Sequence, residues 1–342
     1  MGQKDIVAGR CLSDDDRYAD LINGVIFAGK QMVKGSDLDE RDTKLLLRLR
    51  DRGKYLCGLL RYRDMVRRVA FGVNFAVVGI ENQSEVHYLM PLRTMLYDAG
   101  EYEKQASQIG RRIRKISNIS SGEFLSGFLR SSRLRPCVTL VLYYGDEWDG
   151  GTQLHDLLDF TDIPVELKKY VNNYSVNVIN ISKLENLEVF RTDLKQIFSF
   201  VKYSRDKKKL REIIEKDKEH YQQMEPEAYD MIAEYSNTGE LKLIKGKNTK
   251  GGKVDMCQAI KELIEDGRNE GIMQGRSEGI EAFIESIITI LQQRGNISAA
   301  FLARINMQTD IEILQKWVLL AANAKSIEEF EERMDDAVPQ VK

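Results

Sequence analysis

Asp64, Glu81 and Gln83 are the side chains whose types and spacing could do chemistry. They lie in the stretch RDMVRRVAFGVNFAVVGIENQSE, residues 63–85. Val66, Val69, Phe71, Phe75, Val77, Val78 and Ile80 give that stretch the β-branched and aromatic density of strands. Gly72-Val73 between the two runs suits a two-residue hairpin turn with glycine first. With that turn, facing residues have numbers adding to 145, so Asp64 lies opposite Glu81. Side chains so placed have Cβ atoms about 5 Å apart. Gln83 projects from the same face as Glu81, because strands alternate with period two. Two carboxylates in that relation repel unless one is protonated or a cation lies between them. Carboxylate oxygens and water suit Mg²⁺ or Mn²⁺, and a bound ion of that kind serves phosphodiester hydrolysis. A one-residue slip of register would separate the two acids. The alternative is that both acids are solvated strand ends, or that Arg67, Arg68 or Arg93 pairs with them. Against solvated ends, Glu81 directly follows FAVVGI, a run too apolar for an exposed edge.

The elements that must position these residues are those of an α/β chain. CVTLVLYYG from Cys137 reads as a buried strand, and YSVNVINI (174–181) as a second. Leu187, Phe190, Leu194, Ile197 and Val201 mark an amphipathic helix after it, and Leu89, Leu92, Met95 and Leu96 share a helical face with Pro91 near its start. Ser13 is the expected N-cap of a helix carrying Leu21, Ile22, Val25 and Ile26. Residues 36–62 fit helix or strand equally. Strands interleaved with helices predict a sheet covered on both faces. Trp148 in the turn after residue 144 is expected to close over the sheet end.

Composition bounds the rest. The chain has 342 residues, 42% hydrophobic and 30% charged, with a net charge of −2, so nucleic acid could be held only by local basic patches. Four scattered cysteines without a C-x-x-C pair and three unaligned histidines predict neither disulfide framework nor zinc site. No apolar run approaches the ~20 residues that span a bilayer. The start MGQKDIVAGR has no secretory core, and the expected compartment is the cytoplasm.

After about residue 202 the chemistry changes. DKKKLREIIEKDKEHYQQ reads as a solvent-facing helix, and KLIKGKNTKGGK (242–253) as an exposed linker. Gly267, Gly271, Gly275 and Gly279 then recur at every fourth position. Such a line either admits a second helix, from another copy of the chain, or leaves a weak helix. The tail 297–330 reads as a small helical pair.

The run GIENQSEVHYLMPLRTMLYDA (79–99) resembles the signature of the Rpn family of recombination-promoting nucleases and transposase-like proteins, within the PD-(D/E)XK nuclease superfamily. The resemblance extends to ADLINGVIF (19–27), RYRDM (61–65), SSGEFLSGF (120–128) and PCVTLVLYYGDEWDGGTQLHDLLDF (136–160). It covers roughly the first 210 residues well and the remainder weakly. It implies a restriction-endonuclease-like mixed sheet flanked by helices, followed by an α-helical C-terminal region. The implied division is 1–205 nuclease-like domain, 206–254 charged helix and lysine/glycine-rich linker, and 255–342 helical region with the glycine-spaced helix. The implied activity is metal-dependent DNA endonuclease in DNA recombination or transposition-like exchange, with DNA as partner; a second copy of the chain is the other expected partner, and no membrane is expected. Asp64 and Glu81 would hold Mg²⁺ or Mn²⁺, and Gln83 would stand where the superfamily has lysine. Glutamine can orient a water but carries no charge. Asp20 is the candidate for an additional helical acid or an ordinary first-turn acid. Arg93 would contact phosphate or pair with Glu81 or Asp64, and His87 would act as a base or pack. GRRIRK (110–115) and 242–253 are the two basic runs that could touch DNA. The alternative reading is a catalytically silent nuclease-fold protein that binds DNA or serves in assembly.

Overall fold

The computed structural model describes the backbone of residues 3–40, 44–51, 54–62, 64–71, 74–116, 118–236 and 238–335. It describes the side chains of these residues except for 40–62 and 74–75. The chain divides into two compact units, Met1–Ile260 and Lys261–Lys342.

The first unit is built on a five-stranded mixed sheet. Its strands are β1 (Leu38–Glu40), β4 (Met65–Phe71), β5 (Asn74–Gln83), β6 (Cys137–Tyr143) and β7 (Asn177–Asn180), in the order β1-β4-β5-β6-β7. The pairs β1–β4 and β4–β5 are antiparallel, and β5–β6 and β6–β7 are parallel. Among the described residues of 38–62 the chain is strand: β1 joins the main sheet, and β2 (Lys44–Asp51) pairs antiparallel with β3 (Lys54–Tyr62) as a separate two-stranded sheet. The expected turn at Gly72-Val73 lies outside the described residues, but the ladder it implies is present. Met65 faces Ile80 and Phe71 faces Asn74.

Helices cover both faces of the sheet. α1 (Gln3–Leu12) and α2 (Asp15–Val25) lie on one, where the Tyr18 hydroxyl donates to the Val78 carbonyl. α2 is capped by Asp14, whose carboxylate accepts the Arg17 N–H, while Ser13 donates back to the Arg10 carbonyl and closes α1. The cap is therefore one residue later than the sequence suggests, since Ser13 is spent on the preceding helix. Gly24 in α2 is held by close approach: a Cβ there would come within 2.3 Å of the Phe190 ring. On the opposite face runs α3 (Met90–Ile113), with Pro91 in its first turn.

The buried side of α3 is not the expected one. Leu89 and Leu92 are exposed, and Thr94, Tyr97, Asp98 and Glu101 are buried instead. The sheet presents polar groups at this point, and α3 answers with polar groups: Asp98 accepts from the Thr139 hydroxyl at 2.7 Å and also from the Tyr174 hydroxyl. α4 (Ser121–Ser126) and the short α5 (Val165–Lys168) lie in the crossovers on either side of β6. Trp148 packs edge-on against Tyr143 at the end of β6, with ring centroids 5.2 Å apart, as expected.

The amphipathic helix before residue 205 is α6 (Leu194–Tyr203), with a buried face of Leu194, Ile197, Phe198 and Val201. The expected charged helix is broken at Asp217 into α7 (Lys207–Lys216) and α8 (Lys218–Gln222). Residues 206–254 differ most from the sequence reading. They belong to the first unit, and 242–253 is not an open linker. α9 (Pro226–Tyr235) buries Tyr229, Met231 and Ile232, and the Tyr235 hydroxyl donates to the Lys4 carbonyl. α10 (Gly239–Ile244) buries Leu241 and Ile244, and the hairpin of β8 (Thr249–Lys250) and β9 (Lys253–Val254) buries Val254. Alternating lysine and glycine hid these apolar anchors.

α11 (Met256–Gln292) is continuous through all four spaced glycines, and residues 264–278 are exposed along it. The second unit is a small helical core of three helices on the last turns of α11. α12 (Ala299–Asn306), α13 (Ile311–Asn323) and α14 (Ile327–Met334) bury Trp317, Phe330, Phe301 and Leu314 against Ile287 and Leu291. The expected pair is thus a trio, because α14 adds Phe330 and Met334 to the same core. Among the described residues, no helix is long and apolar enough to cross a membrane.

Candidate functional site

β4 begins at Met65, which faces Ile80, so the register puts Asp64, one residue earlier, level with Glu81. Asp64 does not extend the backbone ladder. Its Oδ2 accepts the N–H of Asn82 at 2.7 Å, so a side chain takes the place of the next strand carbonyl. This bond fixes the Asp64 carboxylate at the end of the hairpin. Burial pushes its pKa above the ordinary carboxylate value, and the Asn82 N–H and the Arg93 charge only partly oppose that rise.

Glu81 lies on the face of the sheet covered by α3. Its side chain is 0% exposed, and Arg93 Nη2 from the first turns of α3 stands 3.0 Å from its Oε2. Arg93 Nε donates to the Tyr97 hydroxyl at 2.7 Å, one helical turn further on. Burial disfavours the Arg93 cation, yet Glu81 and Tyr97 hold its pKa above the usual value. Burial likewise raises that of Tyr97, with Glu81 adding to it. Gln83, half-buried, shares the face of Glu81, and its carbonyl accepts the Tyr144 N–H beyond the end of β6.

Three of the residues weighed from sequence thus gather at one end of β5: Asp64, Glu81 and Arg93. Arg93 takes the pairing alternative. Asp20 does not join them. It is 4% exposed and accepts the N–H groups of Arg191 and Thr192 and the Thr192 hydroxyl, tying α2 to the chain that leads into α6. His87 is half-buried in the turn before α3, where its carbonyl accepts the Met90 N–H.

The structure adds Asn82 and Tyr144. The side chain of Asn82 points to the opposite face from Glu81, and its Oδ1 accepts the hydroxyl of the buried Tyr144 at 3.1 Å. Asn82 therefore meets the Asp64 carboxylate with its backbone N–H and side chain, and accepts from Tyr144 with its Oδ1. Alternation along ENQ in β5 was the available signal. Beside this point a cavity of about 510 Å³ opens at the ends of β5 and β6, with Ser84, Tyr143, Tyr144, Ser182, Lys202 and Tyr235 among its walls.

No family model, curated protein or solved structure matches this chain.

The donor set suits a hard divalent ion in kind: two carboxylates at adjacent strand ends, with a carboxamide on the face of Glu81. Among the described residues there is no group of three or more histidine, cysteine, aspartate or glutamate side chains that could hold a metal. An ion held here would keep most of its coordination as water. It would also have to share Glu81 with Arg93.

Proposed function

We propose that this chain is a metal-dependent DNA endonuclease with a PD-(D/E)XK-like core, as its sequence resemblance to the Rpn family suggests, with a role in recombination or transposition-like DNA exchange. The observation that supports the reading is the β4–β5 register, in which Met65 faces Ile80 and whose continuation by one residue sets Asp64 level with Glu81. The mixed sheet, with its two antiparallel and two parallel pairings and helices on both faces, is compatible with such a core.

In this reading Asp64 and Glu81 hold Mg²⁺ or Mn²⁺, which when bound supplies Lewis acidity and lowers the pKa of a water. Asn82 fixes the Asp64 carboxylate through its backbone N–H. Gln83 orients the water by hydrogen bonding and cannot supply the positive charge that lysine would. Arg93, set 3.0 Å from Glu81, is the cation at hand to stabilise charge developing on the phosphate. A guanidinium that leaves Glu81 for a phosphate would vacate the carboxylate for the ion.

A second reading is favoured by the same ion pair. With Arg93 on a fully enclosed Glu81, the acid is already neutralised, as in a nuclease fold that binds DNA without cutting it. Incubation of supercoiled plasmid with the protein and Mg²⁺ or Mn²⁺ distinguishes the two. Nicking by the wild type and its loss in Glu81→Ala and Asp64→Ala support the nuclease. Equal behaviour of all three proteins supports the silent binder.

A further inference from the structure

The two basic runs of the sequence meet opposite fates in the fold. In 242–253, Lys242 pairs with Glu234, Lys245 with Asp230 and Lys253 with Glu225. These lysines fasten α10 and the small hairpin to α9. The run at the end of α3 is not spent in this way. Residues 104–135 carry eight lysines and arginines against the single carboxylate of Glu123, within a chain of net charge −2. Glu123 is itself engaged, accepting from Ser120 and from the Arg130 N–H. Among the described residues, no carboxylate pairs with Arg111, Arg112, Arg114, Lys115, Arg130 or Arg133, and all six are exposed.

The fold brings these charges together. After α4 the chain returns antiparallel along α3. A Cβ on Gly110 would meet the Gly127 carbonyl at 3.4 Å, the Arg135 N–H donates to Gln105 Oε1 at 2.8 Å, and the Cys137 N–H donates to the Tyr102 hydroxyl at 3.1 Å. Arg130 and Arg133 are therefore laid beside the last turns of α3, which carry Arg111 and Arg112.

We infer that the C-terminal end of α3 and its return loop form a surface for the phosphate backbone of nucleic acid. The cations are chiefly guanidinium groups, which pair with phosphate through two parallel hydrogen bonds. An anionic lipid surface fits less well. The apolar residues at hand, Phe124 and Leu125, stand on the six-residue α4, too short to lie in a bilayer interface as an amphipathic helix. The surface also has a reach. Arg93 and Arg112 lie nineteen positions apart on α3, roughly 28 Å at 1.5 Å per residue, or about 8 base pairs of duplex. This spacing, unlike the surface itself, rests on the cleavage reading proposed above.

The test is fluorescence anisotropy with a labelled DNA duplex in EDTA, across a salt series. Binding is read without cutting, so the wild type should bind in EDTA even if the cleavage reading fails. The combined variant Arg111→Gln, Arg112→Gln, Arg130→Gln and Arg133→Gln should bind at least about tenfold more weakly, with a salt slope shallower by roughly 3 to 4. The four single variants, all at exposed positions, should each take part of that slope, and Lys245→Ala should take none. Absence of DNA binding by the wild type would overturn the inference. So would an unchanged slope in the arginine variants, or loss in the Lys245 variant as large as theirs. Wild-type binding to phosphatidylserine vesicles but not to DNA would assign the surface to lipid instead.

Discussion

Arg93 neutralises Glu81 from across the sheet–helix interface, with Nη2 3.0 Å from an Oε2 that no solvent reaches. Removing one member of such a pair leaves a buried charge without its counter-ion, which costs more than the pair itself contributes. Arg93 is itself about a quarter exposed, so the loss is at the lower end. Arg93→Ala should destabilise the first unit by about 3 kcal/mol. The double variant Arg93→Met, Glu81→Gln should recover much of this. Urea unfolding of the three proteins measures both quantities, and a double variant as unstable as Arg93→Ala would refute the account.

Asp64 gives a dependence on pH whose sign is fixed by its raised pKa. A carboxyl group with a folded-state value above its unfolded value favours the fold most when protonated. That contribution is complete below the ordinary carboxylate range and is lost as pH rises through the raised value. Asp64→Asn keeps an oxygen for the Asn82 N–H and removes the buried charge. Its Tm should exceed that of the wild type near about pH 7, and the difference should vanish near about pH 3. The same substitution should abolish Mn²⁺-dependent nicking. A variant melting below the wild type at neutral pH would contradict this.

Asp20 should behave as a structural acid. Asp20→Ala strips acceptors from two backbone N–H groups and a hydroxyl that meet at its buried carboxylate, and a loss of about 2 to 4 kcal/mol is expected. Mn²⁺ affinity, read by isothermal titration on the folded variant, should be unchanged. A fall in affinity as large as that of Glu81→Ala would return Asp20 to the site.

For the glycine line of α11, none of Gly267, Gly271, Gly275 and Gly279 has, apart from its own helix backbone, an atom within 4 Å of where a Cβ would stand. Each Gly→Ala change therefore adds helix propensity without a clash, worth about 1 kcal/mol per site. Circular dichroism should show higher helicity and a later melt in the alanine variants. If the line instead admits a second copy of the chain, sedimentation equilibrium would show the same variants dissociating.

The hairpin was legible because its signal is local. The two apolar runs and the glycine between them fix a register, and the observed pairs Met65–Ile80 and Val69–Ala76 keep the predicted sum. The identity of the acids' companions was only partly legible, since Arg93 had three candidate partners and geometry alone chose Glu81. The inward face of α3 was not legible. Periodicity marks an apolar stripe, whereas this helix turns Thr94, Tyr97 and Asp98 to the sheet because Glu81 and Thr139 need polar partners there. The same limit applies to residues 242–253, where three lysines read as solvent-seeking but lie against acids of α9 or beside it.

Asn82 joins two neighbours at the strand end. Its amide nitrogen sets the position of an acid proposed for catalysis, and its carboxamide accepts from Tyr144, a wall of the cavity at the strand ends. A molecule settling in that cavity and nudging the tyrosine ring would pull on the residue that aims Asp64. Occupancy of the cavity would thereby be felt at the proposed acid, with a single amino acid as the lever.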